Sequence, residues 1–315
     1  MSGYIARRLL QAVPVLFLSS IGVFLFIHIV PGDPAVTMAG INATPGQVAA
    51  LRHRFGLDQP LLTQYARWIG HVVRGDFGTA YVTERPIAAL ILQRLPATLH
   101  LAVGAMIVMI AVGGPLGVFT AVRPNHSLSR LIAIANALAL ATPTFWLGIL
   151  LTLLFAVSLH WLPASGYVSV MKNPIQSARF LILPSVTLGA WGTAVLIRFL
   201  KSSISESIGA DFVRVAYAKG LSEGYILWKH VLKISLLPVI TIMAVLFGYL
   251  LGGAVITEAI FGWPGLGRLM VDAIGAQDYF LVQGTMLLFV TTFIVINVLA
   301  DVAYAFLNPR IRYGQ

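Results

Sequence analysis

Six apolar stretches, each long enough to cross a bilayer, constrain this chain more than any other feature. They cover 9–30, 99–122, 131–159, 181–200, 236–256 and 280–307. A crossing helix needs about 20 apolar residues. In lipid every backbone polar group must find its partner within the protein, which leaves helices or closed barrels. Runs of this length predict helices, so the fold class is an all-α membrane protein with six transmembrane helices. Composition agrees: 58% of the 315 residues are hydrophobic and only 10% charged, where soluble domains carry roughly 25% charge. The third and sixth runs are long, and Pro143 marks a kink in the third.

Charge sets the expected orientation. Arg7 and Arg8 precede the first run, which predicts a cytoplasmic N-terminus and, after six crossings, a cytoplasmic C-terminus. Twelve Lys and Arg, from Arg7 to Arg312, then fall on the cytoplasmic side, against Lys172, Arg179 and Arg268 in the short external loops. The net charge of +10 is thus explained by orientation, and no nucleic-acid partner is expected. The first run is too long for a signal peptide and no small-residue cleavage site follows it. With no cysteine in the chain, disulfides and thiolate metal sites are excluded.

The chain divides into 1–31, the N-terminus and first crossing; 32–98, an external helical segment; and 99–315, a five-helix core. In the external segment Thr44-Pro-Gly-Gln47 reads as a helix start with Pro just inside the cap. A short helix over 49–55 should stop at Gly56. Residues 60–73 form an amphipathic helix, Gly75-Asp-Phe-Gly78 a turn, and 86–95 a second amphipathic helix lying at the interface.

The core carries a polar cytoplasmic loop over 201–235. Its centre is Asp211, Phe212, Val213, Arg214, Val215, Ala216, Tyr217, Ala218, Lys219, Gly220 and Leu221. Ala216, Ala218 and Gly220 give a low profile, and Arg214 and Lys219 supply charge. One reading is a solvated loop with ordinary positive-inside charge. The other is a short helix over 213–221, rigid and exposed, tied to the fourth and fifth crossings and seated in a partner's cleft. Gly220 would supply its left-handed C-terminal cap.

This loop resembles the coupling loop by which permease subunits of ATP-binding-cassette importers touch their ATPase. It is most similar to the dipeptide/oligopeptide/nickel branch. Many importer permeases carry Glu-Ala-Ala where this chain has Arg214-Val215-Ala216. Pro238 lies eighteen residues past Gly220, as in the peptide branch, while Val215 and Tyr217 replace that branch's usual Thr and Arg. The resemblance runs along nearly the whole chain: Tyr4-Ile-Ala-Arg-Arg8, Val30-Pro-Gly-Asp-Pro34, Gly56-Leu-Asp-Gln-Pro60, Glu258-Ala-Ile-Phe-Gly-Trp-Pro-Gly-Leu-Gly267, Asp278-Tyr279 and Asn308-Pro-Arg-Ile-Arg312. It implies a type I importer permease fold and a multi-pass subunit of the bacterial inner membrane. It also implies a homologous second permease, two ATPase subunits or domains, an external substrate-binding protein and a lipid surround. ATP and Mg would sit on the ATPases, with no cofactor on this chain. Short peptides are the implied cargo, with glutathione and nickel chelates as alternatives from the same family.

Other residues were weighed for chemistry. Glu258, Phe261, Trp263 and Gly265 lie at the outer mouth as candidates for a gate or substrate path, Glu258 either touching a peptide amine or capping the turn. Asp301, inside the sixth run, reads as a substrate or proton site or, closer to expectation, as a local pairing partner near the helix end. His28, His100 and His160 sit at external run ends, where hydrogen bonding is expected and a metal site is not. Gly113-x-x-x-Gly117 and Gly248-x-x-x-Gly252 are close-packing faces. No phosphate-binding loop of the Gly-x-x-x-x-Gly-Lys-[Ser/Thr] type is present, so this chain is not expected to hydrolyse ATP or act as an enzyme. A self-contained secondary transporter would need internal inverted repeats and buried ion sites, and the sequence displays neither.

Overall fold

A computed structural model of the chain describes residues 2–29, 33–40 and 42–307, with side chains from Ala6 to Leu299 and at Val302. The expectations placed on Val30-Pro-Gly32, the Asp301 side chain and Asn308 to Arg312 fall outside those residues. The described part is helical throughout, and a single bridge, Thr79 to Pro86, is its only β pairing. Helix α1 covers Ser2–Ile29. The segment that follows holds α2 (Pro34–Ala39), α3 (Pro45–Arg54) and α4 (Leu61–Val73). Helix α3 starts with Pro45 just inside the cap, as expected, but four residues before the expected 49, because Thr44 and Gln47 form a capping box: Thr44 accepts from the Gln47 amide, and the Gln47 side chain accepts from the Thr44 amide. It ends at Gly56, whose φ of +67° favours glycine.

The next helix corrects the expected boundary. Residues 86–95 are not a separate interfacial helix. Helix α5 runs Ile87–Val108 and continues through a π-helical turn, Met109–Gly113, into α6 (Gly114–Val122). The crossing thus begins twelve residues before the apolar run at 99, because Ile87, Leu90 and Ile91 are buried against Leu266 and Leu281. Burial in protein, not in lipid, carries this first part.

The third run is broken. Helix α7 (Ser127–Ala141) and α8 (Thr144–Leu151, extended by a π-helical stretch Thr152–Ser158) meet at 111°. The amide and hydroxyl of Thr142 both donate to the Leu138 carbonyl, at 2.9 and 2.7 Å. Pro143 follows with no N–H to continue the ladder. The bend far exceeds a proline kink, yet the pair makes one crossing. Gly104, Gly113 and Gly117 of α5–α6 face Leu181, Leu196 and Leu200 of α9 (Pro174–Ile208) in the same order. The two helices therefore run parallel, and the chain between them must return across. Counting the bent pair once gives six crossings.

Helix α9 leads to α10 (Asp211–Ala218) and α11 (Glu223–Tyr225), then through a π-helical stretch, Ile226–Val231, into α12 (Leu232–Ile260). Helix α13 (Leu266–Gly275) is a short piece before the final helix α14 (Tyr279–Leu307). Lipid offers helices no hydrophobic drive to associate, so close van der Waals packing must hold them. The α5–α9 seam is built for this. A Cβ on Gly189 would lie 2.9 Å from the Ala105 carbonyl oxygen, and one on Gly117 2.8 Å from Leu200 Cβ. Gly248 likewise faces Phe293 of α14, whereas Gly252 has open space. Three buried clusters stack along the bundle: one under α10, a central one on Leu101, Met109 and Leu250, and one joining α5, α13 and α14.

The helix order places the ends. Arg8 and Gln11 share a groove with Phe293 and Asn297, while Phe24 and Ile27 share a cavity with Phe280 and Gln283. Helices α1 and α14 are therefore antiparallel. The start of α1 and the later part of α14 lie at the end of the bundle that carries α10.

Candidate functional site

Two constellations stand at opposite ends of the bundle. At the first, α10 begins two residues earlier than expected and ends three earlier, at Ala218. Its C-terminus is a Schellman motif: the Leu221 amide donates to the Ala216 carbonyl at 3.3 Å and the Gly220 amide to Tyr217 at 2.9 Å. Gly220 holds φ +77°, the left-handed cap expected from its position. The two crossings that flank the helix, α9 and α12, are tied to each other by serines. Ser203 Oγ of α9 donates to the Ser235 carbonyl of α12 at 3.0 Å, and Ser235 Oγ to Ser207 Oγ at 2.9 Å.

The faces of α10 correct one expectation. Ala216 does not present a low profile outward. With Val213 it is buried against Leu200, Ile204, Ile226 and Val231 of the chain's own core. Its small size lets α10 lie close on α9 and the segment before α12. The outward face carries Phe212, Val215 and Tyr217, at 36%, 53% and 48% exposure, with Asp211, Arg214, Ala218 and Lys219 around them. An exposed apolar strip ringed by charge on a rigid, capped helix is suited to seat in a partner's cleft.

At the opposite end, Glu258, the last turn of α12, is fully buried. Thr98 Oγ1 donates to its Oε1 at 2.7 Å, and the Arg268 amide donates to its Oε2 at 3.0 Å. The same Thr98 hydroxyl accepts from the Leu266 amide at 2.8 Å. The carboxylate and the hydroxyl thus cap the N-terminus of α13, where the first amides lack partners and a negative charge is favoured. Gly265 occupies the cap position itself, and a Cβ there would fall onto the Glu258 carboxyl group. Gly267 is as constrained, since its Cβ would meet Val255 backbone. Of the three glycines in the turn only Gly262, with φ +61°, needs its backbone freedom.

Phe261 and Trp263 are buried too. Trp263 donates its indole N–H to the Ala97 carbonyl at 2.8 Å and packs edge-on against Tyr167, with centroids 4.8 Å apart. The structure therefore brings Glu258, Phe261, Trp263 and Gly265 together as one packed element, with both carboxylate oxygens of Glu258 committed to internal donors. Of the two readings of Glu258, this geometry is that of the cap. Thr98 was not singled out from sequence. Asp278 is buried too, and its oxygens accept from Leu281 at the start of α14 and from Val82, between the bridged Thr79 and Pro86, each at 3.1 Å. Nothing in a run of apolar residues marks one threonine as a hub; Asp278 was legible only as part of a motif. The histidines are dispersed. His28 pairs with Gln64, His100 lies beside Trp263, and His160 is exposed.

A family model described as "Binding-protein-dependent transport system inner membrane component" matches residues 113–313, and a companion model for the N-terminal part of such components matches 1–102. Among curated proteins, the glutathione transport system permease proteins GsiC of Escherichia coli strain K12 and of Salmonella typhimurium strain LT2 are each 42% identical to the chain. Each alignment spans 313 residues, 99% of this chain and all of the relative. Among solved structures, inward-facing conformations of the MetNI methionine ABC transporter align with TM-scores of 0.55 and 0.57. They are 17% and 18% identical and cover 70% of this chain and 96% of theirs.

Proposed function

We propose a peptide-importing role for this chain, which belongs to the family of binding-protein-dependent transport system inner membrane components. It has the type I importer fold and is a permease subunit of an ABC importer. Members of this family work with a second permease, ATPases and a substrate-binding protein.

The finer reading is that the cargo is a short peptide. A binding protein delivers it at the end that carries Glu258 and α13, and a homologous permease closes the path. Helix α10 seats in the ATPase at the other end, and both chain termini lie on that cytoplasmic side. The observation that carries the coupling part of this reading is α10 itself. It is rigid by its cap, packed through Val213 and Ala216 onto α9 and the segment before α12, which Ser203, Ser207 and Ser235 join to each other, and apolar on its outer face. Movement of an ATPase cleft would pass directly into α9 and α12. Hydrolysis of ATP belongs to the separate subunits.

A second reading has its own support. The 42%-identical relatives are named for glutathione transport, and glutathione is itself a tripeptide. The test is binding measured on the partner binding protein with dipeptides, linear tripeptides and glutathione. Dipeptide binding tighter than glutathione binding supports the first reading; glutathione alone supports the second; affinity for neither overturns both.

A further inference from the structure

Between the external segment and the ends of α1 and α14 lies a cavity of about 630 Å³ that neither the coupling helix nor the outer turn uses. Its size is in the range of small-molecule sites. Treated as a sphere it is about 11 Å across, and two or three extended residues span roughly 7–11 Å.

Its polar lining is unspent. Arg54 and Arg67 both line it, and neither has an ion pair or hydrogen bond among the described residues. Arg67 lies over Gly56, where an added Cβ would come within 2.9 Å of Nη1. Arg54 rests only on the ring of Phe55, 5.8 Å from its centroid. Glu84 lines the same space with no ion pair or hydrogen bond among the described residues and is held at φ +51°, a rare conformation for a residue with a side chain. Gln283 of α14 is 4% exposed, and its amide makes no hydrogen bond among the described residues. Its polar atoms are not sealed from solvent but open onto the cavity, where a ligand's polar group can meet them. Phe55 and Phe280, with centroids 5.1 Å apart, form an apolar wall.

We infer that this cavity binds a short zwitterionic peptide directly, before translocation. The carboxylate is held by Arg54 and Arg67, the free amine by Glu84, the peptide amide by Gln283, and an apolar side chain by Phe55 and Phe280. Two guanidiniums suit a carboxylate, and a free carboxylate in the same lining favours a zwitterion over a plain anion. This rests on the peptide reading above and adds that the permease has its own peptide site.

The test uses the full chain co-purified with its partner subunits, without binding protein, and titrates alanyl-phenylalanine by calorimetry. Saturable binding is expected. It should weaken at least tenfold in Arg67→Gln and with the C-terminally amidated peptide, and several-fold in Gln283→Leu and with the N-acetylated peptide. Unchanged binding in Arg67→Gln and Gln283→Leu, or no binding at all, overturns the inference. Inorganic phosphate or phosphatidylglycerol vesicles displacing the dipeptide at equal concentration would also overturn it, as the mark of a general anion site. Uptake of the same dipeptide by cells separates the two levels. Uptake without cavity binding removes only this inference, whereas no uptake together with no binding-protein affinity for any short peptide removes the peptide reading as well.

Discussion

Replacing Thr98 by valine removes one hydroxyl and keeps the shape of the side chain. That oxygen makes two buried hydrogen bonds, donating to Glu258 at 2.7 Å and accepting from Leu266 at 2.8 Å. Valine leaves the Leu266 amide without a partner, which costs about 1–3 kcal/mol, and strips a charged acceptor of one donor, a bond of about 1.5–3 kcal/mol. Polar contacts between membrane helices average nearer 0.6 kcal/mol, because alternative partners are usually at hand. Here both dependents are buried, the Leu266 amide has no other partner among the described residues and Glu258 keeps the Arg268 amide on its other oxygen, so Thr98→Val should cost about 3 kcal/mol. The measurement is equilibrium unfolding in mixed micelles titrated with dodecyl sulfate, with Thr98→Ser as the variant that keeps the hydroxyl and should recover most of the loss. Pairing it with Glu258→Gln gives a coupling energy, expected at 1–3 kcal/mol for groups in one network. A Thr98→Val cost below about 1 kcal/mol, or a coupling near zero, would refute the view that Glu258 is held as the cap of α13.

Gly265→Ala should disturb the same element more than its one methyl suggests, since the methyl collides with the Glu258 carboxyl; peptide uptake should fall while ATPase assembly survives, and normal uptake would contradict the packing described. On α10, Tyr217→Glu should leave the permease folded and lower ATPase co-purification at least tenfold, whereas Ala216→Trp should lower the amount of folded permease itself. Equal ATPase recovery with Tyr217→Glu would exclude the outer face of α10 as the docking surface. Cysteines placed singly at Ser203 and Thr83 test orientation: an impermeant thiol reagent applied to intact cells should label only the Thr83 variant, and labelling at Ser203 would reverse the topology.

Much of the fold was legible because lipid leaves so few choices. Long apolar runs must be helices, and five of the six expected runs lie, over their described residues, within continuous helices. The errors share a cause. The crossing that starts at Ile87 looked shorter because Gln93, Arg94 and Pro96 interrupt the apolar run, yet Ile87, Leu90 and Ile91 are covered by other helices rather than lipid. Hydropathy registers the solvent a residue tolerates and not the neighbour it meets. The break at Thr142 and Pro143 was visible as a proline, but its 111° angle depends on Thr142 closing the helix before it. On α10 the pairs Val213 with Ala216 and Phe212 with Val215 have the same spacing. Sequence alone cannot say which faces inward; packing against Ile204 and Val231 decides it. Glu258 was legible as special, yet its role rests on Thr98, 160 positions away.

The central claim is that this chain forms half of a peptide path driven by separate ATPases. It is tested most directly by uptake of a labelled short peptide into proteoliposomes. The chain reconstituted with its partner permease, ATPases and binding protein should accumulate peptide only with ATP on the ATPase side, and should do so after the proton gradient is collapsed. Peptide uptake by the chain alone, driven by a pH gradient and indifferent to ATP, would contradict the account.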